Sequence, residues 1–153
     1  VDYVDQLSGF FRGVLMHRNA ELIRVEEEIE IARNYTYILR KRYGCNLLIQ
    51  EDIKQSAGWI APLSIQLLVE NAIKHNIVST EKPLTITIVV DHKAVTVSNP
   101  MQPKVNLSTD STGFGLSSLV ARYQYLTQEK IEIRTEQNTF TVRIPIIYTD
   151  KPI

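Results

Sequence analysis

Cysteine occurs once in 153 residues, at Cys45, which excludes an intrachain disulfide and a cysteine-cluster metal site. Neither sign of charge is in excess, because seventeen Lys and Arg offset seventeen Asp and Glu. That balance argues against the nonspecific binding to nucleic acid or anionic membrane that clustered basic charge drives. Apolar stretches such as Ile86 to Val90 fall far short of the roughly 18 residues a membrane span needs. No basic, apolar and small-residue series at the N-terminus suggests a signal peptide. Between Asp2 and Arg42 proline is missing and glycine appears only at Gly9 and Gly13. What remains is an ordinary globular balance, 44% hydrophobic and 22% charged, sized for one domain with a helical appendage. The lone cysteine fits a reducing, cytosolic compartment. The start at Val1, without Met, reads as a fragment of a longer chain.

Leu22, Val25, Ile29, Ala32, Leu39 and Tyr43 recur at helical spacing and predict one long helix with a buried stripe. Its acids, Glu26, Glu27, Glu28 and Glu30, come early and its bases, Arg40, Lys41 and Arg42, come late, which complements the helix dipole. Gly44 supplies the stop. A shorter helix is predicted over 4–17, with Asn19 as cap for the second. After Gly44 the pattern changes. A strand is predicted over 46–53, then a helix over 63–77 with Pro62 in its first turn. Strands over 84–90 and 94–97 flank a hairpin turn at Asp91-His92-Lys93, and 99–112 has loop chemistry. A helix from about Gly115 to Leu126 precedes a last hairpin over 131–134 and 140–146. This order predicts an α+β fold: a mixed, mainly antiparallel sheet covered on one face by helices and preceded by N-terminal helices.

The helix after Pro62 carries more polar residues than its packing needs. At about 100° per residue, Ile65, Leu68, Val69, Ala72 and Ile73 share the core face. Glu70, Asn71, Lys74 and His75 share the other side, Glu70 to Lys74 and Asn71 to His75 each four residues apart. The plain reading is an exposed face with one Glu–Lys pair. Leu63 and Leu67 lie on that same side, however, and a cleft with apolar walls and converging polar groups fits better. Asn71 offers a neutral oxygen suited to a hard cation such as Mg²⁺, and Lys74 a point charge suited to phosphate.

A second signal is Ser111-Thr112-Gly113-Phe114-Gly115-Leu116, between a polar loop and a helix. Two glycines allow close backbone approach to a ligand, the helix start offers N–H groups to phosphate, and Ser111 and Thr112 add hydroxyls. A plain turn accounts for the same residues when they are taken alone. No Gly-Lys-Ser/Thr follows, which excludes a Walker loop, and no parallel strand precedes, which excludes a dinucleotide fingerprint.

Together, in this order, these segments resemble the Bergerat-type ATP-binding fold shared by gyrase, heat-shock-protein-90-type chaperones, histidine kinases and mismatch-repair ATPases. Leu68-Val69-Glu70-Asn71-Ala72-Ile73-Lys74-His75 resembles the N box of LytS-type sensor histidine kinases, and Thr112-Gly113-Phe114-Gly115-Leu116 their G2 box. Val25-Glu26-Glu27-Glu28-Ile29 and Arg42-Tyr43-Gly44 are similar to the stretch that joins the family's dimerisation and phosphoacceptor region to its catalytic domain. The resemblance implies a helical segment over 1–44 from the dimerisation region and an ATP-binding catalytic domain over 45–153.

It further implies ATP and Mg²⁺ as ligands, with Asn71 on the metal that bridges the phosphates and Glu70 assisting proton transfer or polarising a water. Lys74 and His75 would contact phosphate or ribose, and Ser111, Thr112, Gly113, Gly115 and Leu116 would border the nucleotide under a mobile lid over 100–112. Asn99 falls where the family's G1 box has an adenine-binding aspartate, and the glycines that follow it there are absent here. No Asn-Pro-His-Phe-like acceptor motif surrounds His17, His75 or His92, which places the phosphoacceptor upstream of Val1. The implied protein is the cytoplasmic part of a bacterial inner-membrane sensor kinase. It would be a homodimer when intact, with a response regulator as partner, no nucleic acid, and membrane contact only through upstream segments. Two other functions on the same fold are a degenerate, non-catalytic interaction module and an anti-sigma-factor-type serine kinase.

Overall fold

The computed structural model describes residues 3–16, 20–105 and 114–150. Helix α1 (Tyr3–Met16) packs along α2 (Val25–Tyr43), with α3 (Ser64–His75) and α4 (Phe114–Leu126) following in the chain. Five strands, β2 (Leu47–Ile53), β4 (Leu84–Val90), β5 (Ala94–Pro100), β6 (Glu132–Glu136) and β7 (Thr139–Pro145), form one sheet in the order β2-β4-β5-β7-β6. The β2–β4 pair is parallel and the other three pairs are antiparallel. A ribbon of β1 (Ile23–Arg24) and β3 (Trp59–Ile60) lies apart from it. The α+β class and the mixed, mainly antiparallel sheet agree with the sequence reading.

The alternation of each strand sets which face is covered. Leu84, Ile86, Ile88 and Val90 of β4 are buried, and register places Val95 and Val97 of β5 and Val142 and Ile144 of β7 in the same layer. Helices α2 and α3 bring Ile29, Ala32, Leu39, Ile65, Leu68, Val69, Ala72 and Ile73 onto that layer, which makes one continuous core. The other face carries the exposed Gln50 and the half-buried Thr87, Ser98 and Thr141, paired across strands.

Three local details depart from the sequence reading. α2 starts at Val25, because Leu22 and Ile23 are buried ahead of it and Ile23–Arg24 pairs with Trp59–Ile60. Its N-cap position is Arg24, which makes no side-chain capping bond, and Val25 N–H donates to the Gly58 carbonyl at 3.0 Å. Asn19, the expected cap, lies outside the described residues. α3 begins at Ser64, not in the turn at Pro62, since Leu63 adopts a left-handed conformation with φ 64°. At the far end of α2, Gly44 has φ 59° and ψ −138°, a combination that favours glycine, and its N–H bonds Arg40 O as a stop.

Candidate nucleotide site

A cavity of about 670 Å³ opens where α3, the start of α4, and the ends of β5, β6 and β7 meet. Strand alternation builds its floor. Asn99 shares the helix-covered face with Val95 and Val97, and register sets Phe140 beside it and Ile133 beside Val142. Asn71, Ala72, His75 and Asn76 form the α3 wall, and Leu116, Ser117 and Val120 form the α4 wall. Met101 and Pro103 close a third side from the chain leaving β5. The result is an apolar slot with a few amides and one imidazole, within the roughly 300–1,000 Å³ usual for small-ligand sites.

Asn71, His75, Asn99 and Leu116 line this cavity, although they come from three separate elements. Glu70 and Lys74 do not line it; both are exposed, because each sits about 100° round the helix from its cavity-facing neighbour. Gly115 is not in the lining either. A Cβ there would stand 3.0 Å from Leu67 Cδ1, so glycine at this position lets α4 approach α3 closely. Ser111, Thr112 and Gly113 lie outside the described residues.

Asn99 is 3% exposed and its Nδ2 donates to the Pro100 carbonyl at 2.8 Å, so the accepting atom of the amide is Oδ1. His75 is half-buried and held below the usual histidine pKa, first by burial and then by the charges of Lys74 and Lys104. It is therefore neutral around pH 7, able to donate from one ring nitrogen and accept at the other. Among the described residues no group of three or more His, Cys, Asp or Glu side chains could hold a metal ion. What the wall offers is the half-buried Asn71 amide. Such a site fits magnesium that keeps several waters and takes its other oxygens from phosphates, and does not fit a protein-enclosed metal.

Sequence reasoning missed Asn76 and Gln102. The buried Asn76 donates from Nδ2 to Ala72 O and accepts from Gln102 N–H at Oδ1, both at 2.8 Å. Gln102 returns bonds from Nε2 to Ile77 O at 2.8 Å and to Lys82 O at 3.2 Å, and Lys104 N–H reaches His75 O at 3.3 Å. The segment expected to be a mobile lid over 100–112 is thus pinned to the end of α3 through residues 102–104. The rest of that expected lid, from 106 onward, lies outside the described residues.

Comparison with known proteins gives a consistent picture. A family model described as histidine kinase matches residues 1–47. The sensor protein LytS of Staphylococcus saprophyticus is 36% identical over 93 residues, 60% of this chain and 16% of that protein. LytS of Enterococcus faecalis is 31% identical over 90 residues, 58% of this chain and 15% of its own length. The chain therefore spans about one sixth of the length of these relatives. Among solved structures, the catalytic domain of the histidine kinase ThkA superposes with a TM-score of 0.56 at 20% identity, over 82% of this chain and 95% of that one. The cytoplasmic segment of the histidine kinase QseC gives 0.60 at 13% identity, over 95% of this chain and 91% of that one. The chain is thus similar in sequence to LytS sensor proteins over about 60% of its length, and its fold is that of the histidine kinase catalytic domain.

Proposed function

We infer that this chain is the ATP-binding catalytic part of a sensor histidine kinase, which passes the γ-phosphoryl group of ATP to a histidine outside these 153 residues. The observation that carries the reading is the convergence of Asn71, His75 and Asn99 on one apolar cavity. In this reading the purine lies between Met101, Ile133 and Phe140, and Asn99 Oδ1 accepts from its exocyclic amine. Asn71 turns its oxygen to the metal, and neutral His75 hydrogen-bonds the ribose or a phosphate. Magnesium, when bound, neutralises charge on the phosphates. Glu70 and Lys74, exposed one residue from these positions, act on the solvent side of the phosphates, with Gly115 and Leu116 of α4 and with Ser111, Thr112 and Gly113 ahead of it in the sequence. The protein's contribution is positioning and charge stabilisation: the bond from γ-phosphorus to the bridging oxygen breaks, one to an imidazole nitrogen forms, and ADP leaves.

The same reading divides the chain into a helical segment of the dimerisation region over 1–44 and a catalytic domain over 45–153. It makes the parent a homodimer in the bacterial inner membrane with its catalytic part in the cytoplasm and a response regulator as acceptor. No described helix is long and apolar enough to cross a membrane, so that anchoring falls to other segments. Calorimetric titration with Mg²⁺ and a nonhydrolysable ATP analogue tests the function. Binding by the wild type that is lost in Asn71→Ala supports it, and equal affinity in the two overturns the role of Asn71. A non-catalytic interaction module draws support from the missing G1 glycines; it expects no rise in melting temperature at any nucleotide concentration.

A further inference from the structure

Among the described residues, Glu28 is the charged side chain that is fully buried, and it lines no part of the cavity. It enters from the first turn of α2 and spreads its carboxylate over three donors at the turn into α3. Oε2 accepts from Leu63 N–H at 2.8 Å and Oε1 from Ile65 N–H at 2.9 Å, and Gln66 N–H also bonds the carboxylate. These are N–H groups that a helix start leaves without intrahelical partners. Leu63 is held in a left-handed conformation that disfavours any residue with a Cβ, and the carboxylate fastens that turn. Tyr123, buried on α4, faces the same carboxylate; its hydroxyl accepts from Ala61 N–H at 3.4 Å, and the Ser64 hydroxyl donates to Ala61 O. One buried polar cluster therefore joins α2 to both helices that wall the cavity. An apolar side chain would fill the same space without the penalty of burying a charge. What the carboxylate adds is a fixed placement of α3.

The geometry points to Glu28 as a positioning residue for the nucleotide site: it locks the start of α3 to α2, so a displacement of α2 is carried along α3 to Asn71 and His75. This rests on the nucleotide-binding reading above. The link is sensitive to protonation. Burial pushes the Glu28 carboxyl up to about 7 against the opposing pull of the three N–H groups. From α4 the facing titratable group is Tyr123, whose phenol is raised first by burial and also by Glu28, and so stays neutral. From α3 and the turn before it come the three N–H groups and the Ser64 hydroxyl. As pH falls through about 7 the docked carboxyl takes a proton that an opened, solvated one would not yet bind, so the docked arrangement is favoured by acid and loosened as pH rises.

The test compares wild type, Glu28→Gln and Glu28→Asp for binding of a nonhydrolysable ATP analogue with Mg²⁺, from about pH 6 to about pH 8. Gln keeps the shape but turns an N–H₂ toward one of the donors, so affinity is expected to drop about tenfold at the lower pH, where the docked wild type is protonated and most stable. The difference should narrow to about twofold at the upper pH, where the buried, ionised carboxylate weakens the wild type itself. His75 is present in all three proteins, so its titration cancels in the ratio. Asp, one methylene shorter, should fall between the two. A ratio of one at every pH, with binding that still depends on Asn71, overturns the proposal. If either variant fails to fold, amide exchange on the wild type decides. Protection of α3, corrected for intrinsic rates, should rise between about pH 8 and about pH 6 relative to β4 and β5, because the docked state holds the proton more tightly than an opened one, and equal protection refutes the link. If the wild type binds no nucleotide, the functional reading fails alone, and the exchange measurement still decides the role of Glu28.

Discussion

Replacing Asn99 by aspartate restores the residue that the family carries at this position, and sequence reasoning expects tighter adenine binding from it. The structure gives a different expectation. Asn99 is 3% exposed and its Nδ2 donates to Pro100 O at 2.8 Å. Both terminal atoms of an aspartate are oxygens, so either rotamer sets one against that carbonyl. The ionised form loses a hydrogen bond, about 0.5–1.5 kcal/mol, and adds repulsion between two acceptors. The alternative is a proton on the carboxyl, which restores the donor; holding it at pH 7 against an ordinary pKa near 3.9 costs at most about 4 kcal/mol. The loss at neutral pH therefore lies between about 1 and about 4 kcal/mol, the cheaper form setting the value. For a chain of this length each kcal/mol lowers the melting temperature by roughly 2–4 °C. The folded pKa of the new carboxyl is raised, so its stability contribution is present below about pH 4 and lost as pH rises through the folded value. Thermal melts of variant and wild type at about pH 4.5 and about pH 8 should diverge as pH rises. A protonated carboxyl would turn an uncharged oxygen to the cavity, and affinity for the ATP analogue should stay within about threefold. A variant as stable as wild type at the higher pH, or one that binds about tenfold tighter, refutes the reasoning.

Ile73, buried on the core face of α3, should lose roughly 2–5 kcal/mol as Ile73→Ala in urea melts, whereas the half-buried Asn71→Ala should melt near wild type while losing Mg²⁺-dependent nucleotide binding. Asn76→Ala leaves Gln102 N–H without its acceptor, for a loss of about 1–3 kcal/mol, and should speed amide exchange at Gln102 and Lys104 more than in β4. The chain as it stands should take up no acid-labile phosphate from γ-labelled ATP, while a chain extended upstream to an acceptor histidine should; stable label on His17, His75 or His92 would overturn this.

Periodicity found α3 and its core face because Ile65, Leu68, Val69, Ala72 and Ile73 pack locally on the sheet. The same spacing paired Asn71 with His75, which both line the cavity, yet grouped Glu70 and Lys74 with them, since hydrophobic pattern alone does not fix how wide the cavity-facing arc is. Asn99 was legible through resemblance, and its burial follows from alternation with Val95 and Val97. Glu28 was read as part of an acidic helix start and of the stretch resembling the family's joining segment, with no partner assigned to it. Its partners Leu63 and Ile65 lie 35 and 37 residues away, and no local pattern encodes a bond of that span. Asn76 and Gln102 escaped for the same reason, 26 residues apart and joined only when the chain leaving β5 folds back on α3.

The uncovered face of the sheet has a consequence of its own. Register lines up Gln50, Thr87, Ser98, Thr141 and Arg134 in one row across all five strands, and Asp52, Val89, Thr96, Arg143 and Glu132 in the next. Threonine brings the branched Cβ that suits an extended backbone together with a hydroxyl that water can solvate. Both rows end in polar or charged side chains at the open edges β2 and β6, which discourages a strand from another molecule from adding there. At these two rows the open edges keep side chains that hold their own water, which weighs against edge-to-edge pairing there.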